Sequence, residues 1–356
     1  MRVLILTPYL YGTAPGPRSS IELWERVLKP HGITFEYSAF ETERLNEIIY
    51  EPGHTAEKVR EMVRAYVRRL VEVRRVDAFD AVLVYREAAL IGPALIERLA
   101  ARRRPLIYQL DDPLYVPYRS PSNGYLSYLK FFGKVGRIAA RSKVVVVNSR
   151  QHREYCEDYA TTIHTIPSVI DADVYRHVPK APSDGPVVIG WSGSSSTAVN
   201  LQVIRPVLRE LGERDDVALK FIGSRDFGLP DVRHTAQAWS ADTEVEDLRS
   251  FDIGLLPLPV DEWTKRKFYL KLVQYMALGI PAVCTPLGAN ADVVEHGATG
   301  FLAPDLDAWR ASLNTLVADA GLRRAMGDRS AALAHERYTL QANEGAIVEA
   351  FRALAA

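Results

Sequence analysis

Short apolar runs rich in β-branched residues recur along the chain, separated by stretches of helical length. Val3–Leu6, Ala81–Tyr85, Pro105–Leu110 and Lys143–Asn148 read as strands in the first half. Val187–Trp191, Ala218–Ile222, Ile253–Leu256 and Ala282–Cys284 read the same way in the second. A run without polar alternation, such as Val144-Val145-Val146-Val147, fits a strand covered on both faces, as in a parallel sheet. Between the strands, apolar spacing predicts helices over Ser20–Leu28, Glu57–Val73, Ile91–Arg102, Gln202–Leu211, Leu270–Leu278 and Leu306–Met326. In Glu57–Val73 it predicts burial of Val59, Met62, Val63, Tyr66, Val67 and Leu70. Arg60, Arg64 and Arg68 fall on the outer side, with Arg69, Arg74 and Arg75 nearby. Strand–helix alternation occurring twice predicts an α/β chain of two Rossmann-like, doubly wound domains, with ligands outside the carboxyl ends of the strands.

The stretch 179–186, Pro-Lys-Ala-Pro-Ser-Asp-Gly-Pro, reads as a linker before a new strand. The expected organisation is a first domain over 1–178, the linker, a second domain over 187–338, and a last segment, 339–356. The helix predicted within that segment, Leu340–Leu354, could pack back on the first domain. A length of 356 residues fits two domains. Lys and Arg total 44, and so do Asp and Glu, so the basic excess of a nucleic-acid binder is absent. The balance is uneven along the chain: residues 1–180 hold 27 basic against 21 acidic side chains, a surplus of six that the remainder reverses. Two cysteines, Cys156 and Cys284, neither in metal-ligand spacing, suggest a reducing compartment. The short apolar run after Met1 does not read as a signal peptide and no stretch reaches membrane-spanning length, so a cytoplasmic protein is expected.

Neither half carries GxGxxG after its first strand, nor GxxxxGK[ST], which argues against a dinucleotide oxidoreductase and a P-loop phosphotransferase. Instead Val187–Trp191 is followed by Ser192-Gly193-Ser194-Ser195-Ser196-Thr197. A small, hydroxyl-rich turn entering a helix exposes N–H groups suited to phosphate, more hydroxyls than the alternative, a simple helix cap, requires. Further on, Lys267, Lys271 and Gln274 are spaced by four and three. A helix through all three would set two ammonium groups and an amide on one face, fit for a diphosphate and ribose hydroxyls; a solvated basic turn is the plainer reading.

The window 251–302 carries "DIGLLPL", a Lys-rich segment, "KLVQYMALGIPAV", "TPLGAN" and "VVEHGATGFL" in order. It resembles the donor-binding half of a GT-B glycosyltransferase of the family-4-like group. "YQLDDPLY", "VVVVNS" and "TIPSVIDADVY" resemble the landmarks of that family's acceptor domain. The resemblance spans nearly the whole chain. It implies two domains facing a central cleft and retaining, metal-independent transfer of a hexosyl group from a nucleoside-diphosphate sugar. The nucleotide sugar is then a substrate, no separate cofactor is implied, and the acceptor is a glycan, a lipid-linked sugar or a small molecule. Many relatives carry two glutamates eight positions apart at the start of this helix. Here they fall on Arg266 and Gln274, so the ribose contact passes to an amide and the sugar contact loses its carboxylate.

By the same resemblance, the donor diphosphate and sugar fall to Gly193, Ser194, Ser195, Arg266, Lys267, Lys271, Gly288, Ala289 and Asn290, and the ribose to Gln274. Gly288-Ala289-Asn290 also reads as a tight strand-to-helix turn. Asp111 and Asp112 stand where relatives place groups near the reacting carbon, and are the catalytic candidates; an Asp cap before Pro113 is the equal alternative. Gly12, Arg18 and Arg86 are expected near the acceptor, against the alternatives of a surface turn and local ion pairs. Relatives using lipid-linked acceptors touch anionic membranes with basic helices of the first domain. The helix over Glu57–Val73 would then lie at the inner face of a membrane, though a solvated face is the commoner meaning of such a run. A sugar-nucleotide epimerase and a nucleotide-sugar binder without turnover are the other readings.

Overall fold

The structure is a computed structural model describing residues 1–49, 51, 53–118, 128–181 and 184–354, with the side chain of Ser195 left out. Pro182 and Ser183 of the expected linker lie outside the described residues. The strands are β1 (Arg2–Thr7), β2 (Thr34–Ala39), β3 (Ala81–Tyr85), β4 (Leu106–Leu110), β5 (Val144–Val147) and β6 (Ile163–Thr165). In the second half they are β7 (Val187–Ser192), β8 (Val217–Ile222), β9 (Thr235–Gln237), β10 (Ile253–Leu256), β11 (Ala282–Cys284) and β12 (Gly300–Leu302). They form two six-stranded sheets, ordered β2-β1-β3-β4-β5-β6 and β9-β8-β7-β10-β11-β12. The named strands pair in parallel. Each order reverses direction once, between β1 and β3 in the first sheet and between β7 and β10 in the second. Ligands of such sheets bind at that reversal.

One compact unit comprises Met1–Ser168, Arg266–Phe268 and Asn343–Ala356, and the other Val169–Lys265 with Tyr269–Ala342. The first boundary precedes the Pro-rich stretch at 179–186, and the last helix, Leu340–Arg352, straddles the second boundary. Its far end belongs to the first unit, where Phe351 meets Trp24 edge-on. The expected helix Leu306–Met326 is two helices, Leu306–Ala318 and Ala320–Arg337. Asp319 breaks it: its backbone is extended and its side chain accepts from Leu322 N, starting a new helix. The expected helix Gln202–Leu211 is likewise split. A 3-10 run over Ser195–Ile204 precedes an α-helix over Arg205–Gly212, which carries Pro206 in its first turn, where the missing N–H costs nothing.

The helix Thr55–Glu72 overturns its predicted orientation. Val59, Val63, Val67 and Val71 are each more than half exposed, whereas Lys58, Glu61, Ala65 and Arg69 are buried. Met62, Tyr66 and Leu70 still pack on the core from the margin. The cause lies at the carboxyl ends of β1 and β2. Arg69 donates to Thr7 O at 3.0 Å and Ser38 O at 2.9 Å, and also to Ser38 Oγ and Glu72. Arg68 donates to Ala39 O and Phe40 O. Buried carbonyls left without donors cost about 1–3 kcal/mol each. Exposing a valine forfeits about 1.5–3 kcal/mol. The helix turns Arg69 inward, and its guanidinium comes down to about 10 because burial outweighs Glu72.

Glu41, just past β2, is also buried, and neither of its carboxylate oxygens has a partner among the described residues. Burial pushes its carboxyl up to about 7, and Lys130 offsets that in part. The folded chain therefore holds this proton between about pH 4.5 and 7, where the unfolded chain releases it. Stability from this group is full below 4.5 and is lost as pH rises through 7. Glu41→Gln cannot ionise, so its stability relative to wild type should improve by roughly 3 kcal/mol between pH 4.5 and 8. Urea titrations across that range measure it; a pH-independent difference would show that the carboxyl is paired.

Candidate functional site

In the second unit the chemistry gathers where the strand order reverses. β7 ends in Trp191-Ser192 and passes into Gly193, whose N–H donates to Ile222 O at the end of β8. A side chain at 193 would meet the Trp191 ring and Lys271 Nζ. One at 223 would meet Gly193 O at 1.5 Å, and Gly223 has φ +135. Two glycines thus let the loops after β7 and β8 cross in contact. Ser192 N donates to the hydroxyl of buried Tyr275 at 3.0 Å, pinning the end of β7 to the helix Leu270–Ala277. Lys271, on that helix, is half-buried with Nζ 4.8 Å from the centre of the Trp191 ring. That cation–π contact holds an ammonium group beside the Gly193 backbone.

Lys267 does not join it. The helix begins at Leu270 after an extended Tyr269, so Lys267 precedes it and lies in the three residues belonging to the first unit. Lys271 and Gln274 remain on one helix, three apart. Gln274 is buried, and its amide nitrogen donates to Tyr175 Oη at 2.7 Å. Ser194 is exposed and bonds Ser196 and Thr197 through its hydroxyl at the head of the 3-10 run. The side chain of Ser195 is outside the description. Gly288 has φ 55 and Ala289 is buried. Asn290 turns inward, donating to Thr285 O at 3.2 Å while its buried Oδ1 has no partner among the described residues. That side chain ties the turn together.

In the first unit, β3 and β4 end in a buried charge cluster. Arg86 has φ 61, which non-glycine residues adopt only at a cost of order 1–3 kcal/mol. Its Nε donates to Asp111 Oδ1 at 2.5 Å, and Nη2 donates to Asp111 Oδ2 at 3.0 Å and pairs with Asp112 Oδ2 at 2.7 Å. Its Nη1 donates to Tyr9 Oη at 2.7 Å. Tyr85 donates its hydroxyl to Asp111, and Lys267 Nζ lies 3.2 Å from Asp112 Oδ1. Burial works against charge on Asp112, but Arg86 and Lys267 outweigh it and hold the carboxyl below its usual range. Two cations thus face two carboxylates. Asp111 is an ion-pair partner rather than a cap, and Asn there would leave Arg86 buried with one carboxylate fewer.

Gly16 presses on this cluster: a side chain there would meet Tyr85 Oη at 2.2 Å and Arg86 Nη2 at 2.7 Å. It is therefore Gly16, rather than Gly12, that brings the loop after β1 to the cluster. Gly12 is exposed and donates its N–H to Glu22, on whose carboxylate the charge of half-buried Arg18 also acts. Behind Asp111 lies a residue the sequence reading missed. Asn148 Nδ2 donates to Asp111 O and Ser168 Oγ, so its Oδ1 accepts from His152 Nδ1 at 2.8 Å. His152 Nε2 is buried without a partner among the described residues, and burial brings the imidazole down to about 4, so the ring is neutral. Only its position four residues after Asn148 could have marked it, and i, i+4 pairs of this kind are common in helices.

Residues 188–319 match the family described as Glycosyl transferases group 1. No curated protein matches the chain. Sucrose-phosphate synthase from Thermosynechococcus elongatus superposes with a TM-score of 0.73 at 14% identity, covering 99% of this chain and 98% of that one. Anabaena HepE, in complex with UDP and glucose, gives 0.68 at 17% identity, with 99% of each chain covered. A glycosyltransferase from Rickettsia africae ESF-5 gives 0.66 at 14%, over 99% of this chain and 98% of that one. Likeness at these identities extends to the fold. Two Rossmann-like units with these strand orders have the GT-B fold, and the segment 188–319 is similar to the group 1 glycosyl transferases.

Proposed function

We propose that the protein transfers a hexosyl group from a nucleoside-diphosphate sugar to an acceptor hydroxyl on a glycan, a lipid-linked sugar or a small molecule. The observation that carries this reading is the ammonium group of Lys271, held over Trp191 beside the Gly193 backbone at the reversal point of the second sheet. That arrangement lies inside the segment matching the group 1 glycosyl transferases. Lysine charge and loop N–H groups there suit a diphosphate, with no metal required in this reading.

The bond from the anomeric carbon to the diphosphate breaks as the acceptor oxygen bonds to the same carbon on the same face, with retention. The acceptor's proton passes to the departing phosphate oxygen, so the enzyme's contribution is position and electrostatics. Lys271 stabilises the charge growing on the leaving group. Asp111 and Asp112, already engaged by Arg86 and Lys267, act as a fixed ionic assembly rather than as free carboxylates.

A thermal-shift panel of UDP, GDP, ADP, TDP and their sugars tests the reading. UDP-glucose goes first because HepE has been crystallised with it. A bound nucleotide at a hundred times its dissociation constant should add about 2.7 kcal/mol of stability. No shift with any of them overturns the proposal. Release of free sugar on prolonged incubation separates a transferase from a pure binder, and an isomerised nucleotide sugar would favour the epimerase. In the same assays Lys271→Ala should weaken diphosphate binding at least about tenfold, the worth of a charge-assisted hydrogen bond. Unchanged affinity would mean that the lysine serves Trp191 alone.

A second reading concerns the helix Thr55–Glu72, whose exposed valines form a ridge beside Arg60 and Arg64. Those arginines pair with Glu57 and Glu61, so membrane contact would rest on the valines more than on charge. Sedimentation with anionic vesicles should then fall on Val63→Asp, and vesicles that leave the wild type in solution would exclude this reading.

A further inference from the structure

Gln274 is the start of a hydrogen-bond chain that ends on an exposed indole. Its amide donates to Tyr175 Oη at 2.7 Å, and that hydroxyl donates to Glu244 Oε2 at 2.9 Å. The other oxygen, Glu244 Oε1, accepts from Trp239 Nε1 at 3.0 Å. All four residues belong to the second unit. Trp239 is 42% exposed, whereas Trp24, Trp191 and Trp309 are almost wholly buried. An indole kept in solvent normally gains little by being held still, yet this one is tied at its N–H to a carboxylate that is itself fixed from the buried side.

The place of the indole in the fold gives the tether a purpose. Trp239 follows β9 by two residues, on the carboxyl side of the sheet. Gly223 N donates to Gln237 O at 2.7 Å, and Gly193 N to Ile222 O at 2.9 Å, so the ends of β9, β8 and β7 are stitched side by side. Lys271 stands at the end of β7, Gln274 one helical turn beyond it, and Trp239 at the far end of the chain from Gln274. An ammonium group, an amide carbonyl and an aromatic face, in that order, complement a diphosphate, a ribose and a planar base.

We propose that Trp239 stacks on the nucleobase of the donor, and that Tyr175 and Glu244 are positioning residues that set its distance from the ribose-binding Gln274. The inference rests on the nucleotide-sugar reading above and adds the base contact to it. Both oxygens of Glu244 are engaged within the chain, so the carboxylate holds the indole and does not read the base edge. Stacking of this kind accepts every base, and discrimination among bases is left to other groups.

Titrations of UDP, GDP and ADP, followed by calorimetry and by tryptophan emission, test this. For the nucleotide that binds, Trp239→Ala should lower affinity about tenfold. Trp239→Phe keeps an aromatic face and should stay within about threefold of wild type, while removing the part of the emission change on binding that Trp239 contributes and leaving only what Trp191, beside Lys271, supplies. Tyr175→Phe cuts the chain between Gln274 and Glu244 and should shrink the emission change with Trp239 still present. Wild-type affinity in Trp239→Ala, an emission change of undiminished size in Trp239→Phe, or an unaltered signal in Tyr175→Phe overturns the corresponding part of the proposal and leaves glycosyl transfer standing. If none of the three nucleotides binds the wild type, the nucleotide-sugar reading falls and this inference with it.

Discussion

A parallel sheet buried on both faces leaves one region for polar chemistry, the carboxyl ends of its strands, and there each buried carbonyl and charge must find a partner. In the first unit the partners are arginines: Arg68 and Arg69 take the carbonyls ending β1 and β2, and Arg86 takes the carboxylates following β4. The helix of eighteen residues that carries Arg68 and Arg69 shows four of its valines to solvent. In the second unit glycines do comparable work by removing side chains altogether. Gly193 and Gly223 let two loop backbones touch, and the cation of Lys271 occupies the space a Cβ would have filled.

What could be read from sequence follows from where each strand lies. β1, β3, β4, β5, β7, β8, β10 and β11 are covered by neighbours on both sides, so they appear as continuous apolar runs. The four strands with no such signal, β2, β6, β9 and β12, are the edges of the two sheets. An edge strand shows water one side and part of a face: Thr34–Ala39 has one buried residue in six, and Thr235–Gln237 has none. Period-two and continuous-run signals both fade there. The helix Thr55–Glu72 misled for another reason. Its spacing is compatible with either face, and the choice is made by backbone carbonyls on β1 and β2, which have no sequence signature.

The site was legible where it depends on order along the chain and illegible where it depends on helix starts. Gly193, Lys271 and Gln274 follow strand ends that were themselves readable. Lys267 seemed to share their helix because a spacing of four is helical wherever it occurs. Extended Tyr269 ends that inference and delivers Lys267 to Asp112. Tyr9, Tyr85, Gly16 and His152 entered the cluster unannounced because their contacts span 25 residues or more, or depend on one buried asparagine.

The arginine at 266 gains meaning in this setting. The resemblance expects a carboxylate at that position, and the chain instead places a cation in the short segment that joins the first unit. Arg266 acts there on Tyr115, whose burial raises its hydroxyl pKa while the nearby guanidinium pulls it down. Tyr115 stacks on Tyr155 with ring centres 3.7 Å apart and meets His152 edge-on. The neighbouring Lys267 closes the charge balance around Asp112. A glutamate at 266 would replace that guanidinium with a negative group next to Lys267, the cation that pairs with Asp112. Arg266 and Lys267 thus bring two adjacent cations to the first unit, one acting on Tyr115 and the other paired with Asp112.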